Sequence, residues 1–121
     1  MRLALFFCLP LMLHAQNERV IFHPADASET TKWAAKELQR LVLMSTAEEM
    51  AVVSADTAQP AIRLVSDNSL PHDGFVIRAE KGDTIIAGND SKPDGTWALP
   101  SHGTLWGVCE FAERFLGVRW L

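Results

Sequence analysis

The stretch from Gly103 to Leu116 most narrowly limits what this chain can fold into. Its apolar residues recur every three or four positions, the pattern of an amphipathic α-helix with one buried face. Gly117 follows directly, where a helix commonly ends in a left-handed residue. A helix of this kind needs a sheet or another helix to cover its apolar face. The predicted face comprises Leu105, Val108, Cys109, Ala112, Phe115 and Leu116.

A second amphipathic helix is predicted nearer the amino end, running to about Met44. Asp26–Glu29 precedes it and has the form of a capping box, in which an N-cap side chain and a glutamate three residues later satisfy free amide groups. The predicted buried face comprises Ala34, Leu38, Leu41 and Val42.

Short apolar or alternating runs predict strands around the two helices. The clearest is a hairpin, in which Gly74–Glu80 and Thr84–Gly88 flank the turn Lys81–Asp83. Consecutive strands joined by short turns favour antiparallel pairing. We therefore predict an α+β fold: a two-layer sandwich with a mostly antiparallel sheet of five to six strands and two helices on one face. The other predicted strands are Arg19–His23, Met50–Val53, Ala61–Val65 and Val118–Leu121.

The amino end of the chain has the order of a secretory signal peptide. Arg2 gives a positive start, Leu3–Leu13 is apolar, and Ala15 supplies a small residue before a polar stretch. The apolar run is shorter than the about 20 residues that cross a bilayer. We therefore predict a signal peptide at 1–16, one domain at 17–121, and a secreted or periplasmic protein without a membrane span.

Composition excludes several classes of partner and site. Hydrophobic residues make up 48% of the chain and charged residues 21%, as in an ordinary globular protein. The formal net charge is −4 and no basic cluster stands out, which argues against a nucleic-acid partner. Neither a His-Glu-x-x-His pattern nor a Cys-x-x-Cys pair occurs, so we predict no metal and no cofactor. Cys109 is interpreted as a small buried hydrophobe.

Two pairs of carboxylates have a spacing that makes them candidate sites. Glu110 and Glu113 share a helix face, and glycoside hydrolysis needs two carboxyl groups about 5–9.5 Å apart. They lie beside Arg114 and opposite the apolar face, so we interpret them as solvated and predict no catalytic residue. Asp90 and Asp94 could hold Ca²⁺ together with loop carbonyls, but ordinary turn chemistry is the preferred interpretation.

Trp97 is the candidate sugar contact. It lies in the polar loop Asn89–His102, where an exposed indole ring can stack on a sugar. The alternative is that it packs under its own loop or against a neighbouring domain. Ser101 stands next to His102, but no aspartate can be assigned to them, so adjacency does not predict a catalytic triad.

Several short motifs follow one another along the chain. They are Thr31–Leu41, Asp73–Arg78, Ile85–Gly88, Gly103–Val108 and Leu116–Leu121. In this order and spacing they resemble the non-catalytic N-terminal domain of the α-glucuronidases of glycoside hydrolase family 67. They are similar in outline to the pre-barrel domain of the β-hexosaminidases. The long loop Asn89–His102 departs from the family pattern.

The resemblance implies an accessory role. In that family the domain precedes a (β/α)₈ barrel, which carries the catalytic carboxylates at its strand ends. The chain would then be a fragment, truncated at its C-terminal end, of a secreted α-glucuronidase-like hydrolase that acts in polysaccharide breakdown. Its partners would be the downstream barrel and, through Trp97, carbohydrate. Two alternatives stay open: a stand-alone carbohydrate-binding module and an interaction domain of the cell envelope.

Overall fold

The computed structural model describes residues 19–56, 59–92 and 99–120. The predicted signal peptide at 1–16 lies outside these residues, as do Asp94, Trp97 and Leu121. In the part described, neither helix is long and apolar enough to cross a membrane. The elements are β1 (Val20–Phe22), α1 (Glu29–Thr46), β2 (Val52–Val53), β3 (Ala61–Ser66), β4 (Phe75–Glu80), β5 (Asp83–Gly88) and α2 (Gly103–Phe115).

The five strands form one mixed sheet in the order β2-β1-β3-β5-β4. The pairs β1–β2, β1–β3 and β3–β5 are parallel, and β4–β5 is antiparallel. The predicted α+β class is confirmed, but the prediction of a mostly antiparallel sheet is wrong. The predicted last strand is also wrong over residues 118–120, which have no regular structure.

The connections explain why the sheet is mixed. The β4–β5 hairpin turns through Lys81 and Gly82, whose φ angles of 49° and 86° fit a tight turn of the I′ type. The other strands have longer links between them, and α1 is the crossover from β1 to β2 that a parallel pair requires. The chain can therefore return to the same end of the sheet, and β5 enters between β3 and β4.

Both helices lie on one face of the sheet, where they contact each other and a shared core. The predicted buried face of α1 is confirmed, because all four of its residues are buried. The face of α2 is partly different: Val108 and Ala112 are buried, but Phe115 is 62% exposed and Phe111 takes its place. The helix is turned so that Gly107 faces the sheet, and a Cβ there would lie 2.5 Å from Cγ2 of Ile86.

The helix ends follow ordinary capping chemistry. Ser28, not Asp26, is the N-cap of α1, and its hydroxyl oxygen accepts the Thr31 N–H at 3.1 Å. The predicted capping box at Asp26–Glu29 is therefore wrong by two residues. Beyond α2, Gly117 has a φ of 73°, which confirms the left-handed residue predicted there.

Candidate functional site

Polar side chains collect at the carboxyl end of the parallel strands β3 and β5. The first turns of α1 and α2 meet this edge, and their free amide groups need acceptors. Open sheets with parallel strands commonly bind ligands at this edge, so it is the first place to look for a site. Among the described residues, the buried polar ones are Thr31, Asn89, Ser101 and Thr104.

The carboxylate of Asp90 joins the two helices. Its Oδ2 accepts hydrogen bonds from the hydroxyls of Thr31 at 2.5 Å and Thr104 at 2.6 Å. Its Oδ1 accepts the backbone N–H of Thr104 at 2.9 Å. The N-cap residue of α2, His102, makes no side-chain cap bond, so Asp90 provides that cap from outside the helix. We call Thr31, Asp90 and Thr104 the Asp90 clasp.

Asn89 holds the loop beside the clasp. Its Nδ2 donates to the carbonyl of Leu70 at 2.7 Å, and its Oδ1 accepts the N–H of Ser91 at 2.9 Å. Its own backbone carbonyl accepts the N–H of Gly103 at 2.9 Å. The side chain thus connects the loop after β3 with the loop after β5, and it orients the residue that follows it.

Asp73 meets Ser101 and His102 in space, although the sequence had assigned no aspartate to that pair. The Asp73 N–H donates to Oγ of Ser101 at 2.5 Å, and the His102 N–H donates to Oδ1 of Asp73 at 2.8 Å. Both bonds use backbone amides, and no bond joins the serine hydroxyl to the histidine ring among these contacts. The three residues close a loop and do not have the geometry of a catalytic triad.

Glycine permits the close approach of α2 to the sheet at this edge. A Cβ on Gly88 would lie 2.1 Å from the backbone N of Thr104, and one on Gly103 would lie 2.3 Å from the carbonyl O of Gly74. Backbone therefore contacts backbone where β5 ends and α2 begins. This contact brings Thr104 within reach of Asp90.

The arrangement can hold the two helices but offers little for catalysis. Both oxygens of Asp90 accept hydrogen bonds from within the domain. Across the described residues, every buried side-chain N or O atom has a partner, and no group of three metal-binding side chains occurs. A cavity of about 280 Å³, lined in part by Ser28, Thr31 and Ser66, adjoins the clasp.

The other candidate residues lie apart from this edge. Glu110 is bound by Arg114 of its own helix at 2.6 Å, and Glu113 is exposed. Cys109 is partly buried, and burial, with a smaller effect from Glu37, raises the pKa of its thiol. Asp90 belongs to the clasp, and Asp94, with which it was considered as a Ca²⁺ ligand, lies outside the described residues.

An ion pair between Arg63 and Asp83 lies at the start of β5, away from the Asp90 clasp. Nε of Arg63 lies 2.8 Å from Oδ2 of Asp83, whose Oδ1 accepts the Ala61 N–H at 2.9 Å. The bond from Arg63, followed by that from Ala61, lowers the pKa of the Asp83 carboxyl. The guanidinium also lies 4.9 Å from the ring centroid of Phe22. These contacts join β1, β3 and β5.

The sequence patterns considered above did not predict the clasp, although a signal for it exists. Each helix has a Thr-x-Trp triplet near its start, Thr31–Trp33 in α1 and Thr104–Trp106 in α2. In both triplets the threonine is fully buried and the tryptophan is about half exposed, at 58% and 49%. The same spacing on two neighbouring helices could have predicted that both threonines point to one acceptor.

Comparison with known proteins gives a likeness to a solved structure. No family model and no curated protein matches this sequence. Among solved structures, the chain is similar to a GH138 enzyme targeting pectin rhamnogalacturonan II, with a TM-score of 0.53 and 14% identity. The match covers 79% of this chain and 13% of that one, so the chain spans about an eighth of the enzyme it matches. At this identity the likeness shows a shared fold, present in a glycoside hydrolase as one part of a longer chain.

Proposed function

We propose that this chain is the non-catalytic N-terminal accessory domain of a secreted, α-glucuronidase-like glycoside hydrolase, and that it packs against a catalytic barrel. The observation that carries the proposal is the fold shared with a small part of a much longer glycoside hydrolase. The motif order that resembles family 67 agrees with it and adds the α-glucuronidase assignment, which stays a prediction.

The chemistry of the described residues supports an accessory role. The carboxylates that could have served as an acid and base have structural partners: Asp90 bridges two helices, Asp73 closes a loop and Glu110 pairs with Arg114. A glycosidase instead needs two carboxyl groups that face one sugar. The domain therefore fits a supporting part better than a catalytic one.

Export is the second element of the proposal. It depends on the signal-peptide pattern at 1–16, which lies outside the described residues. A polysaccharide-degrading enzyme meets a polymeric substrate outside the cytoplasm, so export and the glycosidase assignment are mutually consistent.

A carbohydrate-binding module is the second candidate. Trp33 and Trp106 are 58% and 49% exposed, and indole rings provide platforms for sugar rings. Trp97, the ring that the sequence singles out for this role, lies outside the described residues. Binding of oligosaccharides to the purified chain, lost in both Trp33→Ala and Trp106→Ala, would favour this candidate.

The proposal is tested by measuring glycosidase activity. The 121-residue chain and the polypeptide of its complete reading frame are assayed on aryl glucuronides and on pectic oligosaccharides. We expect hydrolysis by the complete polypeptide and none by the chain alone. Hydrolysis by the purified chain alone would contradict the accessory role.

A further inference from the structure

A cavity of mixed polarity lies between the exposed side of α1 and the edge strand β2. Its volume is about 340 Å³, within the range of small-molecule sites. Trp33 and Lys36 line it from α1, and Val52 lines it from β2. We call it the Trp33 cavity. No residue of the Asp90 clasp lines it, so its polar groups form a second, separate set.

Trp33 gives this cavity an aromatic wall. Its side chain is 58% exposed, although indole is a large and mainly apolar group. In the part of the chain that the structure describes, no aromatic ring or cation is stacked on it. An indole face exposed in this way is a platform on which the C–H face of a sugar ring can stack.

Two polar side chains beside the ring keep acceptor atoms for a ligand. Nδ1 of His23 donates to the carbonyl of Pro24 at 2.8 Å, which leaves Nε2 as an acceptor when the ring is neutral. Nε2 of Gln39 donates to the carbonyl of Met50 at 2.9 Å, which leaves Oε1 as an acceptor. Both His23 and Gln39 line the cavity, and each is held in place through one atom.

The edge strand adds backbone groups. The Ile21 N–H donates to the carbonyl of Ala51 at 2.8 Å, and the His23 N–H donates to that of Val53 at 3.1 Å. Alternate residues of a strand present their backbone groups to opposite sides, so the N–H and C=O of Val52 face away from β1. Among the described strands none pairs with β2 on that side. One donor and one acceptor therefore stand at the open edge, where Val52 lines the cavity.

The charge of the cavity is positive, although the formal net charge of the chain is −4. Lys32 and Lys36 line it together with Glu29. The Lys32 ammonium is 3.5 Å from the Glu29 carboxylate, so these two charges balance. Lys36 has no acidic partner among the described residues, since its neighbour Glu37 is bound by Arg40. One ammonium group is left for an anionic ligand.

We propose that the Trp33 cavity binds a sugar residue that carries a carboxylate. The indole face of Trp33 stacks on the sugar ring, the Lys36 ammonium pairs with the carboxylate, and Gln39 accepts hydrogen bonds from hydroxyl groups. This inference rests on the proposed function, which makes a saccharide the ligand; the unpaired Lys36 adds the carboxylate. An extended acidic peptide fits less well, because β2 has only two residues and offers a peptide a single outward pair of backbone groups.

Titration with two sugars that differ only at the carboxylate tests this site. The ¹⁵N-labelled chain is titrated with methyl glucuronide and with methyl glucoside, and the amide resonance of Val52 is followed by NMR. We expect both sugars to shift it and the glucuronide to bind about two- to fivefold more tightly, the range for an exposed ion pair. This preference should disappear in about 0.5 M NaCl, because salt screens exposed charges.

Matched variants separate the ring from the charge. Trp33→Ala should weaken the binding of both sugars at least about tenfold, whereas Trp106→Ala removes a similarly exposed indole outside the cavity and should leave binding unchanged. Lys36→Met should lower the affinity for the glucuronide to that for the glucoside. Lys92→Met, which removes an exposed lysine that does not line the cavity, should not.

Three results overturn the site: no binding of either sugar, binding that survives Trp33→Ala, and equal affinity for the two sugars in the unchanged chain. Shifts with triglutamate as large as those with the glucuronide would show a site for charge alone and also overturn it. Loss of sugar binding in Trp106→Ala as well would indicate a binding module that uses both rings, which contradicts a single site.

The site and the proposed function fail separately. A complete polypeptide that hydrolyses glycosides, from a chain that binds neither sugar, overturns the site and leaves the proposed function standing. A chain that binds the glucuronide through Trp33 and Lys36, in a polypeptide that hydrolyses no glycoside, overturns the proposed function and leaves the site standing.

Discussion

Thr31 and Thr104 donate their hydroxyl hydrogens to the same oxygen of Asp90, at 2.5 and 2.6 Å. Each threonine lies in the first turn of a different helix, and both are fully buried. One loop carboxylate thereby fixes how the two helices sit side by side on the sheet. A charged acceptor is well suited to this position, because the positive ends of both helix dipoles meet there.

The first prediction concerns removal of that carboxylate. Asp90→Ala leaves two buried hydroxyls and one helix N–H without their acceptor, so we expect a loss of about 1.5–3 kcal/mol in the free energy of unfolding. Urea denaturation followed by circular dichroism measures it. The control is Glu113→Gln, an exposed carboxylate, which should change stability by less than about 0.5 kcal/mol. Equal effects of the two variants would contradict the structural role of Asp90.

The second prediction is that alanine in place of Gly107, in α2, or of Gly88, at the end of β5, destabilises the fold. Gly→Ala in a helix interior commonly stabilises it by up to about 1 kcal/mol. At Gly107 the added Cβ would lie 2.5 Å from Ile86, and at Gly88 it would lie 2.1 Å from the Thr104 backbone. We expect both alanine variants to be destabilised by about 1–3 kcal/mol or more, Gly88→Ala more severely because backbone yields less than a side chain. A rise in melting temperature for Gly107→Ala would show that α2 does not approach the sheet so closely.

The third prediction is a dependence of stability on pH. Because Arg63 and then the Ala61 N–H lower the pKa of Asp83, this group adds stability at pH values above the ordinary aspartate pKa of about 3.9. That stability is lost as the pH falls through the lowered pKa of the folded state. Asp83→Asn should therefore be less stable than the unchanged chain at pH 7, by about 1.5–3 kcal/mol, with the gap narrowing below pH 4.

Chemical denaturation at a series of pH values measures that gap. The matched control is Glu80→Gln, which removes an exposed partner of Arg78 and should have little effect at any pH. A gap between Asp83→Asn and the unchanged chain that stays constant down to about pH 2.5 would contradict the assignment.

The fourth prediction concerns the thiol of Cys109. Burial raises its pKa, so the thiolate is scarce and alkylation is slow. We expect iodoacetamide at pH 8 to modify Cys109 more slowly in the folded chain than in urea, as followed by mass spectrometry of the peptide that contains it. Equal rates in the two states would place Cys109 on an open, polar surface.

Much of the secondary structure could be predicted from local patterns. The buried face of α1, the hairpin at Lys81–Asp83 and the left-handed Gly117 follow from periodicity and turn chemistry that involve few residues at a time. The relative direction of the strands does not follow from such local patterns. The parallel pairing of β3 with β5 arises because β4 takes the edge of the sheet and runs back, so that β5 enters between β3 and β4, which no local pattern encodes.

The site was harder to predict, because its contacts join distant residues. Asp90 reads locally as a turn residue, and only the fold brings it to Thr31 and Thr104. Phe115 has helical spacing suitable for a core position, yet Gly107 turns the helix so that Phe111 is buried instead. The repeated Thr-x-Trp triplet was the available signal, and it required comparison of the two helices with each other.

The central claim, that this domain accompanies a catalytic barrel, is tested most directly by sequencing the reading frame beyond codon 121. The account predicts an in-frame stretch of roughly 200 or more residues with alternating strands and helices, and with carboxylates at strand ends. A stop codon immediately after Leu121, together with a stable monomer that hydrolyses no glycoside, would contradict it.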